Sequence, residues 1–254
     1  MKEPVLHGVV IACSLWCLSG LAPAQEKKAE AVQGDIRQVR VQVEFIDVAH
    51  EQLTGLMFGE KPSANDGEVR KQVAQLVKDG KAAIAETMLC VTRSGQKATT
   101  ESIEEFIYPT EYEPAEISIE SSSKEKDAKE PTKEVVRDNA TGPTPTAFET
   151  RNLGSTMEIE PTLSDDEKTV ELRIIPEMVH HVGNQVWAEW KGEHGNSPIQ
   201  MPIMYTVRLN TAVTLATGRY TLLAALSPKN KDGFPDSTRK LMVFVKADVA
   251  APGR

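Results

Sequence analysis

Aromatic side chains are scarce in this sequence, 5% of 254 residues, and cysteine is scarcer still, with three in the whole chain. Cys13 and Cys17 lie in an N-terminal apolar stretch, so export with cleavage leaves Cys90 alone. No disulfide can then form within one mature chain, and packing has to stabilise the fold. Cys90 sits in the apolar run Thr87-Met88-Leu89-Cys90-Val91, which reads as a structural thiol rather than a nucleophile. Basic residues are not in excess either: Lys and Arg total 29 against 37 Asp and Glu, a net charge of -8. Such a surface repels phosphate backbones, which argues against a nucleic-acid partner. No glycine-rich phosphate loop and no G-x-S-x-G elbow occurs, so the common nucleotide and hydrolase motifs are absent.

The first apolar run is short. Lys2 gives a weak positive start, Val9 to Leu18 form the run, and Ala22-Pro23-Ala24 precedes Gln25 in the small-x-small form of a cleavage site. A bilayer span needs roughly 20 apolar residues, so the segment reads as a signal peptide over 1–24. An uncut anchor, or acylation at Cys13 within Val10-Ile11-Ala12-Cys13, are the other readings of the same residues. Residues 25–38 are polar and read as a flexible leader.

From Val39 the pattern becomes alternating, with Val39, Val41, Val43 and Phe45 on one face and Arg40, Gln42 and Glu44 on the other, the mark of a half-buried strand. One short helix is expected between Asn65 and Gly80. Asn65 or Asp66 can cap it, Val69, Val73, Leu76 and Val77 share a face, and Lys78 and Gly80 close it. A strand over 82–92, a Ser94-Gly95 turn and a strand over 97–108 read as a hairpin. The Lys/Glu-rich stretch 121–146 ends in Thr141-Gly142-Pro143-Thr144-Pro145-Thr146 and reads as a mobile insertion, because it can bury too little to offset its ordering entropy. Alternation resumes at Met157 and Ile159 and again at Val170, Leu172 and Ile174, across a Ser164-Asp165-Asp166 turn. The longest signal runs from Ile203 to Leu215, and a Thr217-Gly218 turn lets Tyr220 to Leu226 return beside it. Lys240 to Val245 reads as the closing strand. The class is therefore mainly β, with eight or nine strands and one short helix, without solenoid repeats.

Side chains with chemistry are few. His180 and His181 are adjacent, so in a strand they point to opposite faces and chelate poorly. Asp165 and Asp166 sit in a turn that seldom gives the burial an acid–base pair needs. His50 and His194 have no ligand at metal spacing. Trp187 and Trp190 flank a polar stretch and read either as an interface belt, as a sugar-stacking platform or as sheet packing. No catalytic, cofactor-binding or metal residue is assigned, and the expectation is a protein without enzymatic activity and without a cofactor.

An ordered series of segments is similar to the C-terminal domain of bacterial secretins, the outer-membrane channels of type II and type III secretion and of type IV pili. Thr92-Arg93-Ser94-Gly95-Gln96-Lys97-Ala98 resembles the turn that ends a secretin strand. Gly154-Ser155-Thr156-Met157-Glu158-Ile159-Glu160-Pro161 resembles the G-x-x-L-x-V-x-P strand, and Val170 to Glu177 resembles its companion ending in Pro-Glu. Pro198 and Pro202 with Thr206 to Gly218 resemble the paired strands, and Lys240 to Val245 the closing one. The series spans 39–249, taken as one secretin-like β-domain. The resemblance implies a homo-oligomer in which each copy adds strands to a shared barrel, since closure hides open strand edges. It also implies an exported protein of the outer membrane or periplasm, working with other secretion-system components. The alternative is a periplasmic binding or scaffolding module that keeps the fold without a channel. The family's Gly-Gly turn has no counterpart in Thr221 to Pro228, its gate is replaced here by Lys229-Asn230-Lys231-Asp232-Gly233-Phe234-Pro235, and residues 109–146 lack an apolar band with aromatic girdles.

Overall fold

The computed structural model describes residues 37–59, 65–115, 142–192, 195–230 and 233–250. The signal peptide, nearly all of the leader and most of the 121–146 insertion lie outside the described residues. Nine strands and two helices occur among the described residues. They form a four-stranded antiparallel sheet A, a five-stranded antiparallel sheet B, and a helical layer on the outer face of sheet A.

Sheet A has the order β2-β1-β9-β8, built from β1 (Gln38–Ala49), β2 (Ala82–Arg93), β8 (Tyr220–Leu226) and β9 (Arg239–Ala250). The alternating residues Val39, Val41, Val43 and Phe45 of β1, with Leu241, Val243, Val245 and Ala247 of β9, point into the main core. Ile46 and Val48, with Met242 and Phe244, face the other way, onto the helices. That is why Phe45-Ile46 and the run Leu241 to Val245 lack polar interruptions: a strand covered on both sides must be apolar on both sides. Alternation along β1 is unbroken, and the register shift between Phe45 and Ile46 leaves Ala85 of β2 as the unpaired residue.

The expected helix is present as α2 (Asp66–Lys78), following α1 (His50–Phe58). Asn65 caps α2 by accepting the Glu68 N–H at 3.0 Å, and Val69 and Val73 are buried against sheet A. Lys81 N–H returns to the Leu76 carbonyl at 2.8 Å, and Gly80 takes a positive φ of 70° to make this closing turn. α1 corrects the expectation of a single helix. It starts at Ala49 without a side-chain cap, contains Gly55 and buries only Leu53, so neither a start signal nor a clean apolar stripe marks it in the sequence.

Sheet B has the order β3-β4-β5-β6 with β7 also on β5. Its strands are β3 (Ala98–Glu113), β4 (Thr144–Leu163), β5 (Thr169–Gly192), β6 (Gly195–Arg208) and β7 (Thr211–Ala216). β4 thus begins inside the stretch read as an insertion. The base of sheet B packs Met157, Ile159, Leu163, Val170, Leu172, Ile174, Met178, Val207 and Leu215 against sheet A.

Two pairing expectations are overturned. β2 and β3 do not form a hairpin: β2 pairs with β1, and β3 pairs with β4. The Ser94-Gly95 turn instead crosses between the sheets. Ser94 N–H bonds the Arg37 carbonyl, Gly95 N–H bonds the Pro161 carbonyl, and Ser94 Oγ accepts the Leu163 N–H. Likewise β8 pairs with β9 and not with β7, and Gly218 N–H bonds Ala247 O at 2.8 Å as the chain crosses back. In both places the turn chemistry is legible, but a sandwich core rewards a crossover that covers both inner faces.

The Ile203–Leu215 signal is split at Leu209-Asn210. Both parts keep one register on β5, with Arg208 opposite Glu177 and Thr211 opposite Ile174. The interruption lies opposite Pro176, which has no N–H to give, although its carbonyl still accepts from Leu209 N–H at 3.1 Å.

Candidate assembly surface

Above the core, sheet B forks. The ladder between β4 and β5 ends at Gly154 opposite Val179. Beyond it β3 and β4 continue as one two-stranded ribbon, and β5 and β6 as another, the latter paired up to Gly192 opposite Gly195. Most of the upper residues of both ribbons are exposed. An isolated two-stranded ribbon is marginal in water, so contacts between the two ribbons bear on their order.

Gly154 sits at the fork with φ of 116°. A Cβ there would overlap the Ser102 carbonyl oxygen and come within 3.1 Å of Ile103 Cα. Gly154→Ala is therefore expected to strip β3 from β4 locally and to cost about 3 kcal/mol through steric overlap and strain, read as a lowered urea midpoint.

Side chains bridge the fork where the backbone does not. Glu177 of β5 faces Arg151 of β4 at 3.8 Å and Arg208 of β6 at 3.5 Å. The Phe106 ring stacks on His181, with centroids 4.8 Å apart. His181 also bonds Asn184 Oδ1 at 2.8 Å, and Asn184 donates to Gln200 Oε1. His180 stacks on Tyr205 instead, with centroids 6.4 Å apart. The adjacent histidines thus serve different neighbours, as strand alternation requires.

Apolar side chains stand in solvent on both ribbons. Ile107 is 63% exposed and Phe148 58% on the first, with Trp187 67% on the second, where Val186 and Ile203 are also exposed. Trp187 and Trp190 lie near the free end of the β5–β6 ribbon, away from the main core, with Trp187 exposed and Trp190 half-buried.

The two outer strands of sheet B differ in chemistry. β3 carries five glutamates and no basic residue; β6 carries no acid, one arginine, and Pro198 and Pro202. Among the described residues, no group of three or more His, Cys, Asp or Glu side chains could hold a metal ion. Asp165 and Asp166 are exposed in the β4–β5 turn, where Ser164 Oγ and Lys168 N–H bond Asp166 at 2.7 and 3.2 Å and hold its carboxyl below the ordinary value. Cys90 is partly buried against the main core. No described helix is long and apolar enough to cross a membrane, which leaves strands untested.

No protein-family model matches the chain, and no curated protein matches it. Solved structures of secretins are similar in fold at very low identity. The Salmonella SPI-1 type III secretion injectisome secretin InvG is 10% identical with a TM-score of 0.43, covering 86% of this chain and 66% of that one. The type II secretin GspD of enteropathogenic Escherichia coli is 12% identical, with a TM-score of 0.41 and coverage of 85% and 70%. The type IV competence pilus secretin PilQ of V. cholerae is 12% identical, with a TM-score of 0.37 and coverage of 86% and 62%. The chain spans about two thirds or less of the InvG and PilQ chains.

Proposed function

We propose that this chain is an exported, non-enzymatic, secretin-like component of a bacterial envelope secretion or pilus-type export system, acting by homo-oligomeric ring assembly through sheet B. On this reading residues 39–249 are one assembling domain, seated in the outer membrane or periplasm. The supporting observation is the pair of exposed ribbons whose outer strands, β3 and β6, have no strand beyond them. The ordered series of secretin-like segments in the sequence supports the choice of system.

Direction and charge both favour head-to-tail pairing. Three antiparallel steps separate β3 from β6, so the two edges run in opposite senses. The β3 edge of one copy laid beside the β6 edge of the next continues the antiparallel pattern, and a head-to-tail contact that closes makes a ring. Two β3 edges together would oppose five glutamates to five. Two β6 edges would oppose prolines that cannot donate.

A second reading is a periplasmic scaffolding module without a channel. The exposed Glu101, Glu104 and Glu105, interleaved with Ile103 and Ile107 on β3, favour it, because an unbroken lipid-facing band is absent there. Size-exclusion chromatography with light scattering on detergent-extracted and detergent-free material separates the two. A ring elutes as a very large, heat-resistant species, and a module elutes small without detergent. A lone monomer under every condition would remove the ring.

A further inference from the structure

Sheet A presents the same opportunity for pairing as sheet B. Its outer strands β2 and β8 are also separated by three antiparallel steps, so copies could in principle be joined there as well. The two edges of sheet A differ from those of sheet B in one respect. On each of them a carboxylate already holds a backbone N–H.

On β8, Asp66 Oδ2 accepts the Leu222 N–H at 3.1 Å, reaching across from the first turn of α2. Arg70, one turn further along, lies over the neighbouring Tyr220 ring at 5.2 Å, so the start of α2 covers the start of β8. β8 is also short, seven residues, with a register shift between Leu222 and Ala224. On β2, Glu86 Oε1 accepts the Thr87 N–H at 2.8 Å. Glu86 Oε2 accepts the Ser155 hydroxyl of β4 at 2.7 Å, which anchors the carboxylate in place. Among the described residues, β3 and β6 show no such carboxylate on a backbone N–H.

We infer that Asp66 and Glu86 close the two edges of sheet A against a second copy of this chain, so that copies join through sheet B alone. The inference rests on the ring reading above and adds a restriction to it: one wall of strands is continuous from copy to copy, and sheet A remains a separate four-stranded unit in each. The physical basis is that a strand edge recruits another strand through its free N–H and C=O groups. A carboxylate in a charge-assisted hydrogen bond to such an N–H both satisfies it and opposes an incoming carbonyl.

Thiol cross-linking tests this in the full chain with Cys13, Cys17 and Cys90 changed to serine. One version carries Leu89→Cys on β2 and Ala225→Cys on β8, and a second carries Ile107→Cys on β3 and Ile203→Cys on β6. A short bis-maleimide is the probe, and the readout is the ladder of multiples on a denaturing gel. The sheet B version is expected to give the ladder and the sheet A version only monomer. Adding Asp66→Ala with Glu86→Ala to the sheet A version is expected to produce a ladder there, while Asp66→Asn with Glu86→Gln, which keep an acceptor oxygen, are expected to stay monomeric. A ladder in the unmodified sheet A version overturns the inference. So does its absence after both alanine changes in protein that keeps its native circular dichroism. Loss of the ladder from the sheet B version, by contrast, sinks the ring reading and leaves a distinct signature.

Discussion

Thr206→Pro is expected to convert the assembled protein into a species of single-copy mass, below the 27.9 kDa of the uncleaved chain, while leaving the fold intact. The argument starts at Pro202, which lies in β6 opposite Asn184 with the ladder to β5 continuing on both sides. A proline is tolerated in an edge strand where the missing N–H would point away from the sheet. Strand geometry repeats every two residues, so the N–H groups of Met204 and Thr206 share that outward direction. With that of Arg208, they are the donors left near the base of β6, since Pro198 and Pro202 have removed two nearer the tip. A proline at Thr206 deletes one of them and places a ring where a neighbouring carbonyl would approach. Light scattering reads the mass, and far-ultraviolet circular dichroism reads the fold. Thr206→Ala is the matched control and keeps the assembly. If the Thr206→Pro protein stays large, β6 is not the joining edge.

The second large effect concerns stability. Glu44 and Arg70 form an ion pair between β1 and α2 at 2.5 Å, with side-chain exposures of 6% and 14%. Gln42 donates to the other Glu44 oxygen at 2.8 Å. Arg70 and Lys246 each lie over the Tyr220 ring, at 5.2 and 5.8 Å, and burial, with the nearby Glu44 carboxylate, pushes the Tyr220 hydroxyl above its ordinary range. Arg70→Met leaves the Glu44 carboxylate buried with only Gln42 for company and should cost about 3–5 kcal/mol, because an uncompensated buried charge cannot regain its hydration. The double change Glu44→Met with Arg70→Met should cost far less, about 1 kcal/mol or nothing, since both desolvation penalties vanish together. Urea denaturation of the single and double variants measures the difference. Equal losses would mean that the pair acts through packing rather than charge.

Both effects depend on features that the sequence shows unevenly. The alternation of Val39 to Phe45 and of Val170 to Ile174 was enough to place strands and their buried faces, because a period of two follows directly from the pleat. The cap at Asn65 and the stop at Gly80 were enough to place α2, because both are local backbone requirements. Arg70 carries no such mark. Its partner Glu44 lies 26 residues earlier, and only the packing of α2 on sheet A brings the two together.

The edges divide in the same way. Pro198, Pro202 and the glutamates of β3 are visible as residues, but their meaning depends on β3 and β6 being outermost, which is a property of sheet order. Asp66 reads locally as an acid in the first turn of a helix, and it becomes an edge guard only because Leu222 lies beside it, 156 residues later in the chain.

The sequence by itself determined the mainly β class, the place of one helix with its cap narrowed to Asn65 or Asp66, the turns at Ser94-Gly95, Ser164-Asp166 and Thr217-Gly218, and which faces of the strands are apolar. These follow from interactions between residues a few positions apart. The tertiary structure alone decided that two of those turns cross between sheets, that α1 forms at all, and that the β4–β5 ladder stops at Gly154. It alone decided which strands stand at the edges. Such choices are made by burial of whole faces against each other, an energy that no short window of sequence contains.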